Sequence, residues 1–356
     1  MKQKSFLRFF GLHSDNRQSK TCPFDKLRAG SEQGPSIQNR KWAWLLAIGV
    51  TFAMCGVVAE AQQAGKIFRI GFLDSSTASG IAVLLDAFRQ ELSKLGWIEG
   101  KNFTIEYRFA EQNSKRLPEL AADLVRLKVD LIVVTGGPAA LAAKGATSTI
   151  PVVVASSVDP VGLGLVASLA RPGGNVTGFS NLGTELNSKR LEILKDAVPK
   201  LARVGLLRSP TGVAGDIQLK EIRPAAVALK LKLEEIETQL DPKGLESAFQ
   251  TAKQKRVQAI MTTATRPFFA ERKRIVELAR KYRLPAIYSQ KEFVDEGGLM
   301  SYGADNDDIL RGAAGYVDKI LKGPKPADLP VQQAMRFEFI INLPAAKQIG
   351  ITIPYE

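Results

Sequence analysis

Residues 151–180 read PVVVASSVDPVGLGLVASLARPGGNVTGFS. The β-branched run Val152–Val154 is too short for a helix and apolar on both faces, as in a strand buried inside a parallel sheet. Polar residues Ser156, Ser157 and Asp159 follow it, and Pro160 stands where a helix would start. Leu163, Val166, Ala167 and Leu169 continue as an apolar helix, which Arg171-Pro172-Gly173-Gly174 ends. Asn175–Phe179 is a second extended piece. In open α/β sheets ligands bind outside the carboxyl ends of the strands, so function is expected near residues 156–159.

The same alternation runs outward on both sides. Upstream, Ile70–Leu73 is a strand, and Leu84, Leu85, Phe88, Leu92 and Leu95 make one helical face closed by Gly96. Phe103–Phe109 alternates as a strand, and Leu117, Leu120, Ala121 and Leu124 mark a second helix. Leu131–Val134 is a buried strand that leads through Thr135-Gly136-Gly137-Pro138 into an Ala-rich helix. Downstream the pattern restarts. Helices are expected at Leu191–Val198 and near 217–229, 242–255 and 268–282, with Asp241 as N-cap and Pro242 at N1 of the third. Strands are expected at Val204–Leu207 and near 232–237, 259–263 and 285–288. An extended crossing at Leu299–Tyr302, a helix over Asp305–Leu321 and a strand at Phe337–Leu343 complete the chain. This grammar specifies an α/β fold of two doubly wound parallel-sheet lobes joined by a hinge, with the ligand between them.

Residues 1–61 hold nine Lys/Arg against four Asp/Glu, and the remaining 295 residues carry 40 against 32. Basic stretches such as Lys253–Arg256 and Arg272–Arg274 fall within helical patterns and read as solvated faces. Residues 42–58, WAWLLAIGVTFAMCGVV, are preceded by Arg40-Lys41 and followed by Ala59-Glu60-Ala61. A basic flank, an apolar run and an A-x-A site make a secretory signal over 40–61, with residues 42–58 as a retained anchor the alternative. Residues 1–39 are polar, without periodicity, and far longer than a normal basic flank; they read as an unstructured extension, for which a mis-assigned start site is the preferred explanation. His13, Cys22 and Cys55 are the only His and Cys, and all precede Gln62. The mature chain would then have no thiol nucleophile, disulfide, His base or Cys/His zinc site. No metal and no cofactor are expected. Gly162-Leu-Gly164-Leu-Val-Ala167 matches a dinucleotide fingerprint, but six residues separate it from Ala155 and no acid ends Asn175–Phe179, so a chance match is the better reading.

Candidate ligand-binding residues follow from the strand ends. Gly136 and Gly137, after Thr135, allow a ligand close to the backbone at a helix start; an ordinary tight turn uses the same residues. Ser75 and Ser76 follow the first strand, and Ser156, Ser157 and Asp159 the fourth. Hydroxyls there can bond a carboxylate and Asp159 can pair with an ammonium, whereas loop solubility and capping are the alternatives. The matching places in the second lobe are Ser209-Pro210-Thr211, Thr262-Thr263-Ala264-Thr265-Arg266 and Tyr288-Ser289-Gln290, with Ser209, Thr211, Thr263, Arg266 and Tyr288 the candidates.

DPVGLGLVASLARPGGNVTG also resembles the substrate-binding proteins of ABC importers, in the tryptophan/tyrosine transport-type family. So do LPELAADLVRLKVDLIVV (117–134), KRLEILKDAVP (189–199), RIVELARKYRLPAIY (274–288), EGGLMSYGAD (296–305) and YVDKILKGPKPADLPV (316–331). The resemblance implies the type I periplasmic-binding fold, with 66–178 plus 301–329 as one lobe and 179–300 plus 330–356 as the other. It implies a monomeric periplasmic protein that holds a small molecule and meets permease subunits at the membrane. An export signal in place of a helix-turn-helix argues against a nucleic-acid partner. A two-domain enzyme acting on a nucleotide or sugar phosphate is the alternative, for which neither a phosphate loop nor an acid/base set is found. Relatives commonly carry an acid where Arg266 stands, and a guanidinium there would invite a carboxylate or phosphate.

Overall fold

Runs that are apolar on both faces occupy the centres of two six-stranded sheets, because helices cover both sides of each sheet and leave no wet face. The computed structural model describes residues 66–209 and 213–353. The extension at 1–39, the export signal at 40–61 and Thr211 lie outside the described residues.

The first sheet contains β1 (Phe68–Asp74), β2 (Phe103–Phe109), β3 (Leu131–Thr135), β4 (Val152–Ser157), β5 (Val176–Ser180) and a two-residue strand at Gln332–Gln333. All its pairings are parallel, in the order β2, β1, β3, β4, β5, then 332–333. Helices α1 (Ala78–Lys94), α2 (Leu117–Arg126) and α3 (Gly137–Ala146) connect them. Thr77 caps α1 by accepting a hydrogen bond from Gly80 N at 3.0 Å, and Gly96 after its end sits at φ +90°. The buried stripe Leu84, Leu85, Phe88 and Leu92 has the 3.6-residue spacing read from the sequence.

The segment after β4 differs from expectation. Residues 160–170 form successive turns, with no helix. Gly164 takes φ +66°, and Leu165 N and Val166 N both bond Pro160 O, a closed turn in place of a helical ladder. Leu163, Leu165 and Val166 are buried and Leu169 half-buried, a spacing that imitates a helix, whereas Ala167 is exposed.

The second sheet holds β6 (Arg203–Arg208), β7 (Lys232–Glu237), β8 (Ala259–Thr262), β9 (Ala286–Tyr288) and β10 (Met300–Ala304), in the order β7, β6, β8, β9, β10. An antiparallel edge strand at Phe337–Ile341 closes it. Its helices include α4 (Leu186–Ala197), α5 (Val213–Ala228) and α6 (Pro242–Gln254), the last capped by Asp241 as the sequence suggested. The helix expected over 268–282 is two pieces, Arg266–Ala270 and Arg272–Lys281.

Among the described residues the chain passes between the sheets after Ser180, after Ala304 and after Gln333. Strand 176–180 lies wholly in the first sheet and strand 300–304 wholly in the second, so two crossings sit a few residues from the divisions implied by the family resemblance. The third lies beyond Gln333, since 332–333 pairs with β5. Helix α7 (Asn306–Leu321), capped by Asp305, returns to pack on α1 and β4.

Candidate functional site

Each sheet has the strand order of a doubly wound fold, and the crevice opens where that order reverses, between β1 and β3 in one lobe and β6 and β8 in the other. The carboxyl ends of these strands face each other. Asp74, the last residue of β1, is buried and organises the first end. Its carboxylate accepts hydrogen bonds from Ser76 N at 2.6 Å and Ser76 Oγ at 2.5 Å, and from Thr135 Oγ1 across the switch point. Burial raises its pKa, opposed by the charge of Arg266 and the Ser76 bonds.

A bulge shapes the β4 end. Val134 pairs Val154 but Thr135 pairs Ser156, and β5 shifts register over the same stretch. The extra residue re-aims the strand end. It leaves Ser156 on the crevice, where Asn181 Nδ2 donates to its Oγ at 2.9 Å.

The lobes touch. Arg272 Nη1 donates to Gly80 O at 3.3 Å, and Gln112 Nε2 to Glu271 Oε1 at 2.6 Å. Between them lies a cavity of about 50 Å³. From the first lobe it is lined by Ser75, Gly136, Gly137 and Ser156, and from the second by Arg190, Thr265 and Arg266. Arg266 is 7% exposed, and its Cγ lies 3.1 Å from where a Cβ on Gly136 would stand. Gly136 needs its freedom: φ +82° and ψ 155° are a combination that only glycine adopts readily. The Arg266 guanidinium stacks over Phe269 at 5.4 Å. Burial lowers its pKa, while Asp74 and Glu292 pull the other way. Ser75 Oγ, Thr265 Oγ1 and Arg266 Nη1 are buried without a hydrogen-bond partner among the described residues, and all three line this cavity. A second chamber of about 240 Å³ shares Pro138, Thr265 and Pro267 with it and is lined by Ser209 and Thr263.

The structure therefore gathers Ser75, Gly136, Gly137, Ser156 and Arg266 around one cavity, and Ser209 and Thr263 beside it. Others lie elsewhere. Ser76 and Thr135 are turned onto Asp74, and Ser157 is buried away from the cavity. Asp159 accepts from Gly162 N at 2.8 Å, the capping alternative, because the turn at 160–164 presents that N–H. Tyr288 is a correction: it is 1% exposed in the second lobe, its ring stacked on Phe293 at 4.5 Å, because β9 ends one residue before the crevice is reached.

Thr265, Ser289 and Gln290, within stretches singled out in the sequence, also line the cavity, whereas sequence reasoning missed Arg190, Asn181 and Asn306. For Arg190 a signal existed. The buried face of α4 is Asn187, Arg190, Leu191, Leu194 and Ala197, so an arginine sits on an apolar stripe. Among the described residues no group of three or more His, Cys, Asp or Glu is placed to hold a metal, and no helix is long and apolar enough to cross a membrane.

Two facing doubly wound lobes with a cavity at their strand ends have the architecture of the bilobal solute-binding proteins. The sequence pattern of the ABC transporter substrate binding proteins matches residues 78–356, and the chain belongs to that family. Its relatives include a tyrosine-binding protein of Clostridioides difficile, 27% identical over 264 residues that span 74% of this chain and 75% of that protein. Two solved structures are also similar. One is a conserved domain protein from Vibrio cholerae, 30% identical with TM-score 0.75, covering 81% of this chain and 96% of that one. The other is an ABC domain in complex with L-Trp from Streptococcus pneumoniae, 27% identical with TM-score 0.73 and the same coverage. The family is one of binding proteins that serve ABC permeases, and the enzyme alternative has no support from it.

Proposed function

We propose that this chain captures a small carboxylate-bearing, amino-acid-like solute in the cavity between its lobes and delivers it to its permease subunits. One observation carries this reading: Ser75 Oγ, Thr265 Oγ1 and Arg266 Nη1 are unpartnered donors converging on that cavity from both lobes. Leaving buried donors unpaired costs free energy, and an anionic oxygen in their midst recovers it. The relatives named for tyrosine and solved with L-Trp each hold an α-amino acid, whose carboxylate matches those donors. The protein acts as a monomer in the periplasm after cleavage of residues 1–61, supported by the Ala59-Glu60-Ala61 ending of the apolar run.

A thermal-shift screen against amino acids and organic acids tests the ligand reading. A solute bound only to the folded state stabilises it by about 2.7 kcal/mol at a hundredfold excess over Kd. A panel without any stabilising carboxylate refutes it.

A further inference from the structure

Arg190 is 2% exposed and lines the same cavity as Arg266. It reaches there from α4, and the crossings hold it. Its Nε donates to Tyr302 O at 2.7 Å, and its Nη1 to Asn187 Oδ1 at 2.6 Å and Gly183 O at 3.4 Å. Nη2 lies 3.7 Å from where a Cβ on Gly303 would stand, with no hydrogen bond to any described residue. Burial pulls the Arg190 pKa down to about 10, so it remains a cation at neutral pH.

Two buried guanidinium groups thus share one small cavity, and neither has a carboxylate within 4.0 Å among the described residues. The acids nearest in effect are poor counter-charges. The Asp74 oxygens already accept from Ser76 and Thr135, and neither Asp74 nor Glu292 forms an ion pair with Arg190 or Arg266, although both act on Arg266 through their charge. Two unpaired buried cations are costly unless something anionic joins them.

The rest of the lining sets size and shape. Among the described residues no aromatic ring lines the cavity. An aromatic side chain finds no stacking partner among these lining residues.

Resting on the carboxylate-binding reading above, we infer that the solute is a compact dicarboxylate, with one carboxylate seated by Arg266 beside Thr265 and Ser75 and the other by Arg190. The planar fork of Arg266 suits one carboxylate, and Arg190 offers the other its Nη2, the nitrogen left after its bonds to Tyr302, Asn187 and Gly183.

Titration calorimetry on the full-length chain, with succinate, butyrate, L-tyrosine, L-tryptophan and inorganic phosphate as probes, tests this. Succinate should bind at least about tenfold more tightly than butyrate, which has the same carbon chain and one carboxylate. Arg266→Gln should weaken succinate by about tenfold to a hundredfold and bring the succinate-to-butyrate ratio close to one. Arg190→Gln should do the same; since Arg190 also ties the crossings, the Arg266 variant and wild-type selectivity decide the matter if it fails to fold. Tighter binding of L-tyrosine or L-tryptophan than of succinate overturns the dicarboxylate and leaves the proposed function standing. Preference for phosphate, or unchanged succinate affinity in Arg266→Gln, also overturns it. Silence from every probe removes both readings together.

Discussion

Asp74→Ala is the substitution that most directly tests how the first strand end is built. The carboxylate accepts from Ser76 N, Ser76 Oγ and Thr135 Oγ1, joining β1 to β3 across the switch point. Hydrogen bonds to a charged group are worth about 1.5–3 kcal/mol each, and the three share one acceptor group, so they do not add. Alanine leaves the Ser76 N–H and the Thr135 hydroxyl unpaired in a buried place and removes the charge that Arg266 feels, a loss of about 3–5 kcal/mol. The burial cost of the carboxylate, evident in its raised pKa, is relieved at the same time, which favours the lower end. At about 2–4 °C per kcal/mol for a domain of this size, a loss of about 3 kcal/mol lowers Tm by about 6–12 °C. Asp74→Asn keeps the shape, and its oxygen still accepts from Ser76 N, so its loss should be less than half as large. Thermal unfolding followed by circular dichroism provides the comparison. An alanine variant within about 0.5 kcal/mol of the parent, the range of surface substitutions, would refute the organising role given to Asp74.

Other expectations concern pH, backbone and motion. Glu292 is buried with both carboxylate oxygens unpartnered among the described residues, and burial raises its pKa above 4.5. Its contribution to stability is therefore full below pH 4.5 and lost as pH rises through the folded value; Glu292→Gln should gain on the parent between pH 4 and about 8, whereas parallel urea midpoints over that range would contradict the sign. Gly136→Ala forces a side chain into φ +82° and against Arg266, and should cost about 1–3 kcal/mol in thermal unfolding while weakening solute binding; unchanged stability and affinity would place the strain elsewhere. The three crossings can act as hinges, so small-angle scattering should show a smaller radius of gyration once the solute saturates, and an equal radius would count against hinge closure.

Much of the fold was legible because it is written in local periodicity. The β-branched run 152–154, the stripe Leu84–Leu92 and the Asp241-Pro242 start depend on residues within a turn or a strand of each other, where side-chain direction follows from backbone geometry alone. The turns at 160–170 were misread because burial, which sequence shows as apolar spacing, is shared by helices and by tightly packed turns. Strand ends gave Ser75, Gly136, Ser156 and Arg266, since every parallel strand points its carboxyl end the same way. What only the tertiary structure decided is which strand-end side chains turn inward. Ser76 and Thr135 turn onto Asp74, and Asp159 onto Gly162, because a nearby donor or acceptor captured each of them. Arg190 reaches the cavity from a helix 76 residues before Arg266, through crossings that bring Gly183 and Tyr302 together. Such a meeting depends on how two lobes pack, and no local pattern in the chain encodes it.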